Sequence, residues 1–386
     1  MHQEHKKTVW IFAIASFLHD AGSDIVFSVW PLFLTEVLGA NMEVLGFIDG
    51  LGEAVVSISQ AVAGYISDRI RKRKIFVWLG YLLGGLARIG YAISPTWQSI
   101  VPFRVLDRSG KIRSSPRDAI ISDVSLRETR GGNFGLLQAM DNLGAVIGIM
   151  IAIFLIPIFG YRKMFFLAAI PSVLAVLLIV FFIKKEGRSD KKIYKGIRLK
   201  DLSKNLKLFF FLSAVFGLGS FTYSFLLIFA KRFGFTLTQI PLLYLLFTVT
   251  AAIVSVPFGK LSDKIGRKNL LFLALFFWAL VPVLFIFFKS FLGIALAFLF
   301  YGLHEGAIDP SQKALVAELA PKEYVASTLG GFQMVIGLFS LPASLLAGIL
   351  WDKIGIATPF YFSLFLTIIA AFLLIFVKEK QDERQQ

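Results

Sequence analysis

Along most of the chain the polar positions are grouped, and between the groups run stretches of apolar residues too long for a soluble core helix. Crossing a bilayer as an α-helix takes about 20 residues. On that scale the pattern predicts helices near 9–34, 44–66, 75–94, 98–123, 134–157, 163–183, 208–230, 239–259, 269–288, 291–318, 327–350 and 357–377. Between the sixth and seventh lies "KKEGRSDKKIYKGIRLKDLSKNLK", residues 184–207, with ten Lys or Arg. It separates a six-helix bundle, 1–183, from a second, 208–386. The fold class expected is an all-α membrane protein of twelve transmembrane helices. The opening "MHQEHKKTVWIFAIASFL" resembles a secretory signal, but its apolar run continues to Leu34 through Asp20 and Asp24 and is read as the first span.

Composition supports the lipid setting. The 386 residues are 56% hydrophobic and only 17% charged, with 41 Phe. A soluble chain carries about a quarter charged residues. The net charge of +15 would suit nucleic acid only on a solvated basic face, and here the bases sit between apolar runs. Read by the bias of cytoplasmic loops toward Lys and Arg, they place both termini on the cytoplasmic side of the cell membrane. No cysteine is present, and His2, His5, His19 and His304 lack metal-site spacing. No cofactor, metal or nucleic acid is expected.

The chain also repeats. "GYISDRIRKRK" at 64–74 returns as "GKLSDKIGRKN" at 259–269, an offset of 195, which also pairs Leu38-Gly39 with Phe233-Gly234, "PRDAIISD" with "SQKALVAE", and Gly160 with Gly355. An even number of helices per copy gives both the same orientation, so parallel repeats are expected, with a site between them near the midplane.

On these residues the sequence resembles the major facilitator superfamily over nearly its whole length. The family's signature G-x-L-x-D-R-x-G-R-R/K is met by Gly64, Asp68 and Arg69 and, more fully, by Gly259, Leu261, Asp263, Lys264, Gly266, Arg267 and Lys268. The first copy has Arg71 where the second Gly belongs. The resemblance implies a gating latch at both copies, formed by an acid against bases and a helix N-terminus. Helix 4 resembles a bacterial and archaeal subgroup reading D-R-x-G-K-x-x-R-x-x-P-R-D-A, whose assigned members export nickel or organoarsenicals. Arg104 stands for the helix 4 Arg of R-x-x-Q-G, with Asp107 and Arg108 at the Gln and Gly places; "GAVIG" partly meets the helix 5 antiporter signature.

Helix 4 raises the chemical question. At 100° per residue, Arg104, Asp107, Arg108, Lys111 and Asp118 share about a 100° arc. Arg113 and Arg117 point away from it, toward the cytoplasmic end, and read equally as residues reaching for the interface. A charge facing lipid costs at least ~3 kcal/mol at the bilayer centre, so the stripe must face water or opposite charge. Asp20 and Asp24, Asp49 and Glu53, and Asp141 are the acids at hand; Arg88 pairs with a neighbouring carboxylate, and Asp49 lies near the outer surface in this reading. In the second half helix 10 brings His304, Glu305, Asp309 and Lys313, the last two also readable as a plain ion pair, and helix 7 brings Thr222, Tyr223 and Ser224. The resemblance makes helices 1, 4, 7 and 10 the cavity lining.

The candidate substrate and coupling residues are therefore Asp20, Asp24, Glu53, Arg104, Asp107, Arg108, Lys111, Asp141, Tyr223, His304, Glu305 and Asp309. Asp20 or Glu53 is expected to carry the proton, with Arg104, Arg108 and Lys111 as the cations that respond to substrate. The expected function is secondary active transport of a small molecule by a monomer, most simply proton-coupled export of a drug, metal or organoarsenical. A proton-coupled uptake symporter for an organic anion is the alternative, because seven intramembrane acids in the first half against six bases fit either sign. No nucleophile–base pair or nucleotide loop appears, so neither an enzyme nor an ATP-driven pump is expected.

Overall fold

The structure is a computed structural model that describes residues 2–70, 72–125, 130–183, 202–320 and 325–379, and the side chains of these apart from 2–5, 68–70, 130–132, 135, 263 and 325–327. Most of the linker, 184–201, lies outside the described residues.

The described residues form the twelve spans as helices. The first six are α1 (His2–Phe27), α2 (Met42–Ile70), α3 (Arg73–Ile93), α4 (Trp97–Ser109 with Gly110–Arg113 and Ser114–Val124), and α5 and α6 within Arg130–Phe182. The second six are α7 (Lys204–Gly219 with Tyr223–Arg232), α8 (Ile240–Ile265), α9 (Arg267–Phe287), α10 (Phe291–Leu319), α11 (Val325–Lys353) and α12 (Thr358–Ile375). Among the described residues nine stretches are long and apolar enough to cross a membrane. They contain every span except α2 and α4.

Where the helices bend, a local cause is visible. The continuous first span expected over 9–34 instead ends at Phe27; the chain turns at Ser28–Val29, restarts over Trp30–Leu32 with Pro31 in its first turn, and closes on a π-turn, Phe33–Val37. Proline fits a first helical turn because it lacks the N–H that would be unpaired there. The seventh span breaks at Ser220–Thr222 rather than running through 208–230. In α4 the turn Gly110–Arg113 is a 3₁₀ helix, which moves every later side chain off the α-helical register.

The contacts divide the chain into two compact units: 1–40, 51–193 and 236–245 form unit 1, and 41–50, 194–235 and 246–386 form unit 2. The ten-residue pieces 41–50 and 236–245 are themselves separated by the repeat offset. Gly39 and Gly234, one offset apart, both take positive φ, 67° and 111°, a conformation that disfavours any residue with a Cβ. Helices α3 and α9 both have 21 residues. Lys74 Nζ donates to Val180 O and Lys268 Nζ to Ile375 O, so in both units a lysine near the start of the third helix ties down the end of the sixth.

Lipid is as apolar as a leucine side chain, so helices in a membrane associate through close packing and hydrogen bonds. Unit 1 achieves this with small residues. A Cβ at Gly144 or Gly148 of α5 would stand 2.4 Å from Phe17 O or 2.1 Å from Ala21 O, so α1 and α5 meet backbone to backbone. Unit 2 has such contacts too, with a Cβ at Gly348 2.2 Å from Met42 O, and adds rings: Phe221, Phe229 and Phe285 all meet Phe360, at centroid distances of 5.3, 5.2 and 5.1 Å. Phe154, Ile158, Phe181, Ile253 and Leu292 are left exposed, as a lipid-facing surface requires.

Candidate functional site

In unit 1 the charges of α4 are consumed inside the bundle. Arg104, 2% exposed, lies over the Trp30 ring at 4.3 Å and Phe27 at 5.3 Å. Arg108 stacks on Phe27 at 4.5 Å and reaches Glu53 at 3.7 Å and Asp107 at 3.9 Å. Cation–π contact of this kind gains strength as water is removed. Arg113 pairs with Asp20 at 3.7 Å and covers Tyr81 at 5.1 Å. Arg117 donates to Ser16 Oγ at 2.7 Å and pairs with Asp118 at 3.1 Å and Asp141 at 3.6 Å.

Arg113 and Arg117 thus turn inward to α1, α3 and α5, not to the interface. The 3₁₀ turn is the reason: at 3.0 residues per turn it over-rotates the chain, so residues past Gly110 leave the outward position an ideal helix predicts. That turn seats against α3, where a Cβ on Gly80 would lie 2.4 Å from Gly110 O. Lys111, half-buried, makes no hydrogen bond or ion pair among the described residues, yet with Arg113 and Arg117 it acts electrostatically on Asp20.

Two expectations about neighbouring groups are corrected. Among the described residues Arg88 forms no ion pair with a carboxylate; it donates to Ala168 O (2.8 Å), Ser172 Oγ, His19 O (3.0 Å) and Ser23 Oγ (2.7 Å), binding α3 to α1 and α6. The Asp107 carboxylate acts on it electrostatically and lies against Gly84 of α3. Asp49 is 2% exposed, not at a surface, and accepts hydrogen bonds from Thr222 and Ser224 within unit 2. Asp24 accepts from Tyr244 Oη at 3.0 Å within unit 1.

Unit 2 holds a cavity of about 200 Å³ beside α7, α10 and α11, reached by His304, Glu305 and Asp309. Tyr223 stacks on Phe247 at 6.4 Å, apart from that lining. Sequence reading missed Ser213, Ser220, Gln312 and Gln333, which also line the cavity. Some of their signal was present: Ser213 and Ser220 are seven residues apart in the seventh span, and Gln333 interrupts an apolar stretch of α11.

Of the proposed latch residues, Asp68, Arg69 and Asp263 lie outside the residues whose side chains are described. A Cβ at Gly64 would make ordinary contact with Ser115 at 3.5 Å and one at Gly259 would meet nothing, so neither glycine is needed here for close helix contact. Gly266 caps α9 with φ 92°. Arg267 pairs with Glu318, and Lys264 is exposed. The Glu379 carboxylate accepts from the backbone N–H of Arg267 (2.7 Å) and Lys268 (3.3 Å), placing an acid on the positive end of α9.

Twelve helices in two repeats, with ionised groups paired within a bundle, match a known family. The Major Facilitator Superfamily profile matches residues 12–229 and 209–386. The chain belongs to the major facilitator superfamily. An uncharacterized MFS-type transporter of Methanocaldococcus jannaschii is 37% identical over 384 residues, 97% of this chain and 96% of the relative. Multidrug resistance protein 2 of Bacillus subtilis is 25% identical over 396 residues, 98% of this chain and 97% of its own. Among solved structures, the peptide transporter POT in complex with sulfate superposes with TM-score 0.78 at 14% identity, covering 96% of this chain and 93% of that one. The nucleoside transporter NupG gives 0.74 at 14%, covering 95% and 97%; at such identity these two speak for the fold alone. As a superfamily member the protein is a multi-pass membrane transporter for a small solute.

Proposed function

We propose that this transporter is a proton-coupled exporter in the cell membrane, acting as a monomer with both termini cytoplasmic and alternating access between its two six-helix bundles. The reading is carried by the α1–α4–α5 charge set. Asp20 and Asp141 are each held by one arginine of α4, and Lys111 stands beside them without a partner of its own among the described residues. A carboxylate so placed exchanges protons when a nearby cation is displaced or engaged, because an opposite charge favours its ionised form. Substrate contact at Arg108 or Lys111 would then alter proton affinity at Asp20 or Glu53. Such a ligand shifts the conformational equilibrium only by its differential affinity for the two open states.

Export is supported by the whole-length similarity to a multidrug resistance protein, and the cytoplasmic termini by the Lys and Arg of the linker. Arg267–Glu318 and the Glu379 cap are proposed to fasten the cytoplasmic end in one state and release it in the other.

The test is reconstitution in vesicles carrying an internal pH dye. Metals, arsenicals and amphiphilic drugs are screened for solute-dependent proton movement, followed by Asp20→Asn and Glu53→Gln. At least one variant should lose tenfold or more of the coupled proton flux while still binding the solute. Undiminished coupling in both removes the assignment, and solute gathering on the alkaline side of an imposed gradient would reverse the direction to uptake.

A further inference from the structure

We propose that the exposed face of α8, at the end that carries Lys260 and Lys264, binds an anionic phospholipid. The lipid phosphate sits on the two lysines and an acyl chain lies along Val256 and Ile253. The proposal depends neither on the coupling mechanism nor on which side of the membrane that end faces.

Helical spacing assembles the site. Positions 256, 260 and 264 follow at intervals of four, and 257 and 261 stand beside them, so at 3.6 residues per turn all share one face. Val256, Pro257, Lys260, Leu261 and Lys264 line a groove of about 310 Å³. A water molecule occupies about 30 Å³ of liquid, so the groove suits about ten heavy atoms, the size of a glycerophosphate headgroup. Among the described residues no acid lines it, and neither lysine makes a hydrogen bond or an ion pair. The two Cα atoms are about 6 Å apart along the axis, close enough for both ammoniums to converge on one phosphate.

Depth and apolar surface point to a lipid rather than a free anion. The apolar span of α8 runs Ile240–Ser262, so Lys260 and Lys264 straddle its end, at headgroup level. There a lysine lays its stem along the helix and holds its charge at the interface. This span is the least buried of the nine. Val256, one turn deeper than Lys260, is 64% exposed, and Ile253 is 68% exposed. A free phosphate would use the lysines alone, whereas a phospholipid covers the charge and the apolar strip together.

The repeat supplies an internal comparison. The offset of 195 places Tyr65 at Lys260 and Val62 at Pro257, so α2 lacks the paired lysines. Charge that served only to orient the chain could sit on any face of the helix. Here both lysines share a face with exposed apolar residues.

The experiment is a lipid titration of the full-length protein in neutral detergent micelles, read by native mass spectrometry as lipid retained. The probes are phosphatidylglycerol, phosphatidylcholine with the same dioleoyl chains, and glycerol 3-phosphate without chains. A lysine near an anionic membrane surface contributes about fivefold in affinity. Phosphatidylglycerol should therefore bind about tenfold more tightly than phosphatidylcholine, and glycerol 3-phosphate should not bind. Lys260→Gln or Lys264→Gln should each weaken phosphatidylglycerol about fivefold, and the double variant about twentyfold. Both lysines are exposed and glutamine is a good helix former, so the lipid-free melt should not move. Lys289→Gln with Lys353→Gln removes the same charge from the opposite end of the unit 2 helices and should leave the titration unchanged.

Equal affinity for the two lipids, glycerol 3-phosphate binding as tightly as the lipid, or an unchanged titration in the Lys260/Lys264 double variant overturns the proposal. An equal loss in the Lys289/Lys353 variant does so too, because it would reduce the preference to overall charge. Neither a gradient nor a solute enters the measurement, so failure of the exporter reading and failure of this one are separate results.

Discussion

The two units share a chain path and differ in what they bury. In unit 1 four guanidiniums of α4 and that of Arg88 in α3 are enclosed within one bundle, each with carboxylates, carbonyls, hydroxyls or rings around it. In unit 2 the matching volume is filled by Phe, Trp and Tyr, and its polar groups border a cavity. The repeat fixes where helices run, and the side chains then divide the labour. A bundle full of fixed charge responds to protons and ions, whereas an aromatic bundle with a polar cavity holds a body. Each prediction below tests one side of that division against the other.

The largest effect belongs to Arg88. Its donors satisfy two carbonyls and two hydroxyls in a site 1% exposed. The residue at the repeat offset in unit 2 is Val283, which offers nothing comparable. Each buried group left unpaired costs about 1–3 kcal/mol. The Ser172–His19 bond at 2.8 Å is already in place and would persist, so Arg88→Met should destabilise by about 3 kcal/mol, seen as early melting in detergent. Arg88→Lys should rescue little, because an ammonium lacks the planar fork that reaches α1 and α6 together. If Lys restores full stability, the charge rather than the fork is what unit 1 needs.

The sequence made the twelve spans, the repeat and the charged stripe of α4 readable, because apolar run length and a fixed offset survive without coordinates. What it concealed was departure from ideal geometry. The arc drawn for α4 assumed 100° per residue, and the 3₁₀ turn at Gly110–Arg113 carries Arg113 and Arg117 to Asp20 and Asp141 instead. The breaks at Ser28–Val29 and Ser220–Thr222 leave only faint marks in composition. Charged residues drew attention to α4 and α10, and the uncharged cavity lining, Ser213 above all, passed as ordinary helix.

A middle-sized effect separates two contacts that stand one repeat apart. Asp49 accepts from Thr222 and Ser224 in unit 2, whereas Tyr244, 195 residues on, donates to Asp24 in unit 1. The carboxylate's two bonds are charge-assisted and almost fully buried, so Asp49→Ala should cost about 2–3 kcal/mol. Tyr244→Phe removes one donor from an acid that keeps other charges near it and should cost about 1 kcal/mol. Melting curves of the two variants give the ratio directly. Equal losses would mean that the repeat places equivalent bonds, against the asymmetry argued above.

The smallest effect lies at the start of α9. Glu379 accepts from two backbone N–H groups there, while α3 begins after Lys72 with no side-chain cap. A carboxylate at a helix N-terminus contributes about 0.3–1 kcal/mol at low salt and is screened as salt rises. Glu379→Gln should therefore lower stability by a few tenths of a kcal/mol up to about 1 kcal/mol, with the difference from the parent shrinking in high salt. Amide exchange should quicken at residues 267–270 and stay unchanged over 73–76. Faster exchange at both helix starts would mean that the loss spreads beyond the cap, and the contrast between the units would then fail at its weakest point.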